Sequence, residues 1–290
     1  MTKGGRVRAC VLAVTGLLLA GPATAQRSAA SPAPRMLEVR VQDVRGLLTV
    51  TAWDRDSVAL RGNAAGLGLR AVPGAVHLER TGTADATGNV ELLLPRGARL
   101  VVRGGGSVDA TGLDGEVEIS AARGRIRLEG AMRRVSVEAL EGNVEVVGPS
   151  ASVTVHTAGG TVVVRGIRGE LDVSTVSGAV AVGAARVTTA RLASVSGEVS
   201  FKGVVQPSGT LEATSFSGDV ELRLPPELAV TFELQAPPGK VTSEFGSGTR
   251  FVTGRGGAWI VAATQKGALA VRRQPGADVD LNPGGSSGIR

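Results

Sequence analysis

Carboxylates are the residues of this sequence best suited by type to chemistry. Glu116, Glu118, Glu145, Glu170, Asp172, Glu198, Asp219 and Glu221 recur at polar positions between aliphatic residues. Two acids at short range can serve a glycosidase, and acids gathered in a loop bind calcium. None of these acids sits in a ligand-spaced loop. The simpler reading is the solvated side of a sheet carrying mixed charge. His77 and His156 are the only histidines. Neither has a second histidine or a cysteine near it in sequence, and a metal centre needs several such ligands. Both are expected at the surface or at strand ends.

Serine is the remaining nucleophile. Ser194-Val195-Ser196-Gly197 and Ser215-Phe216-Ser217-Gly218 echo Ser174-Thr175-Val176-Ser177-Gly178. A catalytic serine needs a general base within reach. No such partner is visible, and a catalytic residue has no reason to recur three times. A serine ahead of a glycine corner is expected to hydrogen-bond the turn. Arg103-Gly104-Gly105-Gly106 has the glycine content of a phosphate loop but lacks the Gly-Lys-Ser/Thr and the following helix. It reads as a flexible corner. The sequence therefore assigns no catalytic, cofactor-binding or metal-ligating residue, and no cofactor is expected.

The elements that position these residues come from a repeat. The unit Gly, any residue, aliphatic, any residue, aliphatic appears as Gly115-Glu116-Val117-Glu118-Ile119, Gly124-Arg125-Ile126-Arg127-Leu128 and Gly142-Asn143-Val144-Glu145-Val146. It recurs at Gly160, Gly169, Gly178, Gly197 and Gly218. The glycines at 115, 124, 142, 160, 169 and 178 are spaced by 9 or 18 residues, and glycine-free copies at 133–137 and 151–155 fill the gaps. Beyond 178 the step loosens to 19, then 21, then 21 to Gly239, as small insertions at one corner would make it. Alternation of period two with β-branched residues is the strand signature. The polar members then face outward, while Val117, Ile119, Ile126 and Leu128 face in.

A nine-residue unit cannot stand alone. Its two inward aliphatics contribute ~3–6 kcal/mol, whereas ordering the backbone costs about 1–2 kcal/mol per residue. Units must therefore stack. An antiparallel meander and a parallel β-solenoid with two units per coil both satisfy this. The solenoid is favoured because the corners share one register and few aromatics are present to fill a sandwich. The fold class expected is all-β: a parallel β-solenoid of about nine-residue strand-turn units, closed at its N-terminal end by an antiparallel β cap. In that cap Asp54-Arg55-Asp56 reads as a tight hairpin turn; at the other end of the array 259–262 and 268–271 read as closing strands.

The chain divides into a signal peptide at 1–25, a linker at 26–35, the cap at 36–83, the repeat array at 84–271 and a disordered tail at 272–290. Lys3, Arg6 and Arg8 precede an apolar run, Val11 to Ala20, and Ala23-Thr24-Ala25 fits signal cleavage. Cys10, the one cysteine, lies ahead of that run, so neither a lipid anchor nor a mature disulfide is expected. Losing 1–25 removes three basic and no acidic residues, leaving 29 basic against 26 acidic, a net +3. With interleaved charge and 2% aromatics the footprint of nucleic-acid binding is missing. No later stretch approaches the ~20 apolar residues of a membrane helix.

The Ser-Gly-x-Val-x-Val units, preceded by Trp53-Asp54-Arg55-Asp56-Ser57-Val58, resemble the bacterial envelope family of candidate adhesins built from β-strand repeats, a family of unknown function. The resemblance covers most of residues 37–271 and implies export to the periplasm or the cell surface. It carries no catalytic residues over. The expected function is non-enzymatic binding or scaffolding, with an envelope polymer or envelope protein as partner. The alternatives are a polysaccharide-acting β-helix enzyme, lyase or hydrolase, and a purely structural component. An enzyme would show outward Asp, Arg or Lys converging on one groove across three adjacent coils.

Overall fold

The computed structural model describes residues 10–12, 37–42, 45–62, 67–80 and 89–274. Among these, every regular element is a strand. The N-terminal strands are β1 (Cys10–Leu12), β2 (Glu38–Gln42), β3 (Leu47–Trp53), β4 (Val58–Gly62), β5 (Leu67–Val72), β6 (Ala75–Arg80) and β7 (Val90–Pro95). The repeat array follows as β8 (Arg99–Gly104), β9 (Ser107–Leu113), β10 (Glu116–Arg123), β11 (Ile126–Gly130), β12 (Arg134–Glu141), β13 (Val144–Val147), β14 (Ser152–Gly159), β15 (Val162–Arg165) and β16 (Arg168–Thr175). Two long bent strands, β17 (Val180–Ser194) and β18 (Val199–Ser215), and then β19 (Val220–Leu224), continue it. The C-terminal strands are β20 (Val230–Gln235), β21 (Val241–Ser243), β22 (Arg250–Thr253), β23 (Ala258–Thr264) and β24 (Leu269–Arg273).

The array is a parallel β-solenoid with two faces. On face one, β8, β10, β12, β14, β16 and the second halves of β17 and β18 stack in parallel, followed by β23. On face two, β9, β11, β13, β15 and the first halves of β17 and β18 stack the same way, followed by β19 and β24. The register joins like to like: Val117, Val135, Val153, Leu171, Ala190, Leu211 and Ile260 form one inward column. Leu128, Val146, Val164, Val182, Phe201, Leu222 and Val271 form its counterpart on face two. All of these are buried in one continuous apolar core. A one-residue slip would turn every aliphatic outward, so the core itself fixes the register.

The two corners of each coil differ. Residues 122–125 and their equivalents form a glycine corner. From Val117 to Ile126, Val135 to Val144, Val153 to Val162, Leu171 to Val180, Ala190 to Val199, Leu211 to Val220 and Ile260 to Leu269 the distance is always nine residues. The corner that returns to face one is nine residues up to Leu171, then ten from Val180 to Ala190 and twelve from Val199 to Leu211. The added residues sit at register shifts, with Ala184 and Ser208 in the left-handed region. This is the insertion corner that the loosening repeat implies.

Three sequence expectations are corrected. Gly239 does not continue the glycine column, since its neighbourhood is open; the next member after Gly218 is Gly267, whose Cβ would lie 2.2 Å from the Gly218 carbonyl oxygen. The cause is a detour: after β19 the chain runs outward to β20 to β22, and β23 then returns to lie between β18 and β20. The strands that close the sequence are thus flanked on their outer side by earlier ones. Second, Asp54-Arg55-Asp56 is not a hairpin turn. β7 lies between β3 and β4, parallel to the first and antiparallel to the second. Third, β2 and β3 are not part of an antiparallel cap but pair in parallel with β6, β8, β7 and β9. The antiparallel element at this end consists of β4 on β7 and β5 on β6, with β1 on β4. The expected signal peptide, linker and tail fall outside the described residues, apart from Cys10–Leu12 and Arg272 to Gln274.

Candidate functional site

Register decides what the outward acids can do. Glu116, Arg134, Ser152 and Glu170 form one column, and Glu118, Ser136, Thr154 and Asp172 the next. Acids thus alternate with cations and hydroxyls instead of stacking. Arg99 reaches Glu118 at 2.9 Å and Glu38 and Glu116 at 4.0 Å, tying β2, β8 and β10 together. The hydrogen bond to Glu118 raises the Arg99 pKa above its ordinary value, against the opposing effect of burial. Glu145 faces Arg165 at 3.7 Å, Glu221 faces Arg223 and Arg272, and Asp219 accepts the Ala268 N–H at 2.7 Å. Glu198 lies exposed at the glycine corner. His77 Nδ1 lies 3.2 Å from Glu79 Oε1 on its own strand.

At the glycine corner the recurring serines have a structural task. A Cβ on Gly142 would lie 1.8 Å from the Gly124 carbonyl oxygen, on Gly178 1.7 Å from that of Gly160, and on Gly197 1.8 Å from that of Gly178. No side chain fits there. Three residues before Gly197, Gly218 and Gly267 stands an inward hydroxyl. Ser194 donates to the Gly178 carbonyl at 3.2 Å and accepts the Gly197 N–H at 2.8 Å. Ser215 repeats this with Gly197 and Gly218, and Thr264 with Gly218 and Gly267. Each hydroxyl therefore ties its own corner to the coil below.

Between the hydroxyl and the glycine the sequence places a residue that points outward. At that position stand Leu140, Val176, Val195 and Phe216, which are 63%, 53%, 49% and 50% exposed. Alternation demands a polar residue there, so these four, with Ala122 and Ala158, make an apolar ridge along the solenoid axis. The ridge from Ala122 to Val195, with face one, lines a groove of about 860 Å³ across β8 to β17, and Phe216 extends the ridge by one coil beyond it. At about 4.8 Å per strand its six strands span ~24 Å. Its second wall is polar: Ser120, Glu138, His156 and Ser174 follow one another in register. The Arg103-Gly104 corner lies at one end.

Sequence reading missed this groove, although the signal was present: apolar residues two positions before the corner glycines 142, 178, 197 and 218. The polar wall also brings together residues that sequence kept apart. His156 Nδ1 lies 2.6 Å from Ser174 Oγ, and Glu138 stands on the strand beyond. Glu138 makes no ion pair with His156, and the strand N–H groups around Ser174 are engaged in the parallel ladders. Nucleophilic catalysis needs free donors aimed at a developing oxyanion. The pair reads as a hydrogen bond between neighbouring strands along the polar wall of the groove.

Coils that stack parallel strands in register around one core define a β-solenoid. Residues 85–255 match the Toastrack DUF4097 family, and the chain belongs to it. Among solved structures, a candidate adhesin from Bacteroides fragilis is 12% identical, with 82% of this chain and 93% of that chain covered and a TM-score of 0.36. A candidate adhesin from Parabacteroides distasonis is 11% identical, with 93% and 98% covered and a TM-score of 0.35. A candidate cell adhesion protein from Clostridium sporogenes is 10% identical, with 83% and 93% covered and a TM-score of 0.25. No curated protein matches the chain.

Proposed function

We propose that the protein is a non-catalytic, exported binding module of the cell envelope that holds its partner along the glycine-corner groove. The observation that carries this reading is the apolar ridge. Contiguous exposed apolar surface on an otherwise polar protein marks an interaction site, and a groove of this volume falls in the range of ligand clefts. Leu140, Val176, Val195 and Phe216 are about half exposed or more and lie outside the core, so burial does not require them to be apolar. Export rests on the basic, apolar and small-residue order of residues 1–25.

The test is retention of the mature chain, residues 26–290, on immobilised peptidoglycan, outer-membrane polysaccharide and total envelope protein side by side. Saturable retention on one of them is expected, and it is expected to disappear in V176S/V195S/F216S with the unfolding midpoint unchanged. No retention on any of the three, or equal retention by the variant, overturns the reading. The competing enzymatic reading asks for Asp, Arg or Lys converging in one groove. The groove holds Arg103 and Glu138 on strands separated by β10, and Arg103 lies against Glu118 at 3.7 Å.

A further inference from the structure

Face two carries a feature that the groove does not explain. Lys202, Arg223 and Arg272 occupy one outward column on β18, β19 and β24, each in register with the next. Like charges facing each other across a sheet are destabilising. One carboxylate serves two of the three: Glu221 lies 3.1 Å from Arg223 and 3.3 Å from Arg272. Lys202 has no ion pair among the described residues. Arg165 stands in the same column two strands below, paired with Glu145 at 3.7 Å and 61% exposed. At the adjoining variable corner Arg168 and Arg186 are exposed and also in register, again without an ion pair among the described residues.

Six cations thus line this edge, and among the described residues their ion pairs are with Glu145 and Glu221, while Glu244, which accepts the Arg273 N–H at 2.7 Å, stands at the far end. From Arg165 to Arg272 the column covers four strand steps, ~19 Å at about 4.8 Å each. Such a line repels itself unless an anion lies along it, and it runs parallel to the solenoid axis, the direction in which an extended chain would pass.

We propose that this column is a binding site for a linear polyanion, a polymer bearing phosphate or sulfate groups at short intervals. A second copy of the chain is the other conceivable occupant, through the acids of face one. Those acids are already engaged or interrupted: Glu212 is held by Arg191 at 3.0 Å, and Arg191 separates Asp172 from Glu212 in their column. A polymer meets no such competition. This surface is separate from the groove, and either site can fail without the other.

The test is the anisotropy of end-labelled inorganic polyphosphate titrated with the mature chain over a salt series. It runs beside K202Q/R223Q/R272Q and a control of equal charge change, R134Q/R191Q/R255Q, with sedimentation of each protein alone and vesicles of phosphatidylglycerol as a second target. Wild type is expected to bind polyphosphate with an affinity that falls steeply with salt. The column variant is expected to lose about tenfold or more, with the salt slope reduced by about three, one per lost phosphate contact. The control should stay within about twofold of wild type. Absence of binding at low salt, equal loss in the control, or binding to vesicles but not to polyphosphate overturns the proposal. Self-association of wild type that the column variant abolishes, without polyphosphate binding, reassigns the column to a second copy.

Discussion

The glycine corner and the variable corner close the same coils, yet one keeps its length in every coil from β10 on and the other does not. At the glycine corner backbone meets backbone: each glycine lies against the carbonyl of the glycine below, and from Ser194 onward a buried hydroxyl bonds both. An added residue would break contacts to two coils at once. At the variable corner the turn lengthens by one residue after Val182 and by three after Phe201 without disturbing the aliphatic columns. Backbone contact alone does not separate the two, since Gly130, Gly148, Gly169 and Gly203 at the variable corner also lie against carbonyls of the coil below; what the glycine corner adds is an unbroken column from Gly124 to Gly267 and, from Ser194 onward, the hydroxyl that bonds two coils. The apolar ridge follows the rigid corner and the cationic column borders the tolerant one.

That contrast can be broken by substitution. The largest effect is expected for Gly178→Val, whose Cβ would lie 1.7 Å from a carbonyl oxygen; loss of folding or more than ~4 kcal/mol is expected by denaturant melt. Gly183→Ala on the variable side meets nothing nearer than Arg165 Cγ at 3.8 Å and should cost less than about 1 kcal/mol. If the two are equal, backbone contact does not set the rigid corner. Val144→Asp places a charge in the core between coils and should cost several kcal/mol, whereas Glu145→Lys on the outer side, which loses the Arg165 pair and faces Arg127, should cost about 1 kcal/mol or less. Ser194→Ala removes both bonds of a buried hydroxyl and should cost ~1–3 kcal/mol in the same melt. A two-residue insertion after Pro207 should cost ~1 kcal/mol or less by the slow growth of loop entropy. The same insertion after Ser196 should abolish folding.

Much of the fold was legible because period-two alternation has one physical cause. Val117, Ile119, Ile126 and Leu128 are buried where the pattern places them, and the repeat of 18 residues reappears as the register between coils. Serine before glycine likewise reads directly as a turn bond, and Ser194 and Ser215 make it. What sequence alone could not show was non-local. Gly239 follows Gly218 at the right interval, but the chain leaves the stack at β20 and rejoins β18 only at β23, so the true successor is Gly267. Nor does a local pattern reveal that β7 inserts between β3 and β4. The groove was missed for a different reason: Leu140, Val176, Val195 and Phe216 look like ordinary members of an aliphatic array until the bend at each glycine turns them outward.

The detours at the two ends bear on the order in which the molecule can assemble. A chain delivered N-terminus first folds as its segments arrive. β2 and β3 must wait for β6 and β7 on one side and for β8 and β9 on the other before their hydrogen bonds are complete. At the far end β20 has only β22 beside it until β23 slides into place against β18. The last strands delivered are thus wedges between layers already made, and the stack locks only when residues near 260–271 arrive.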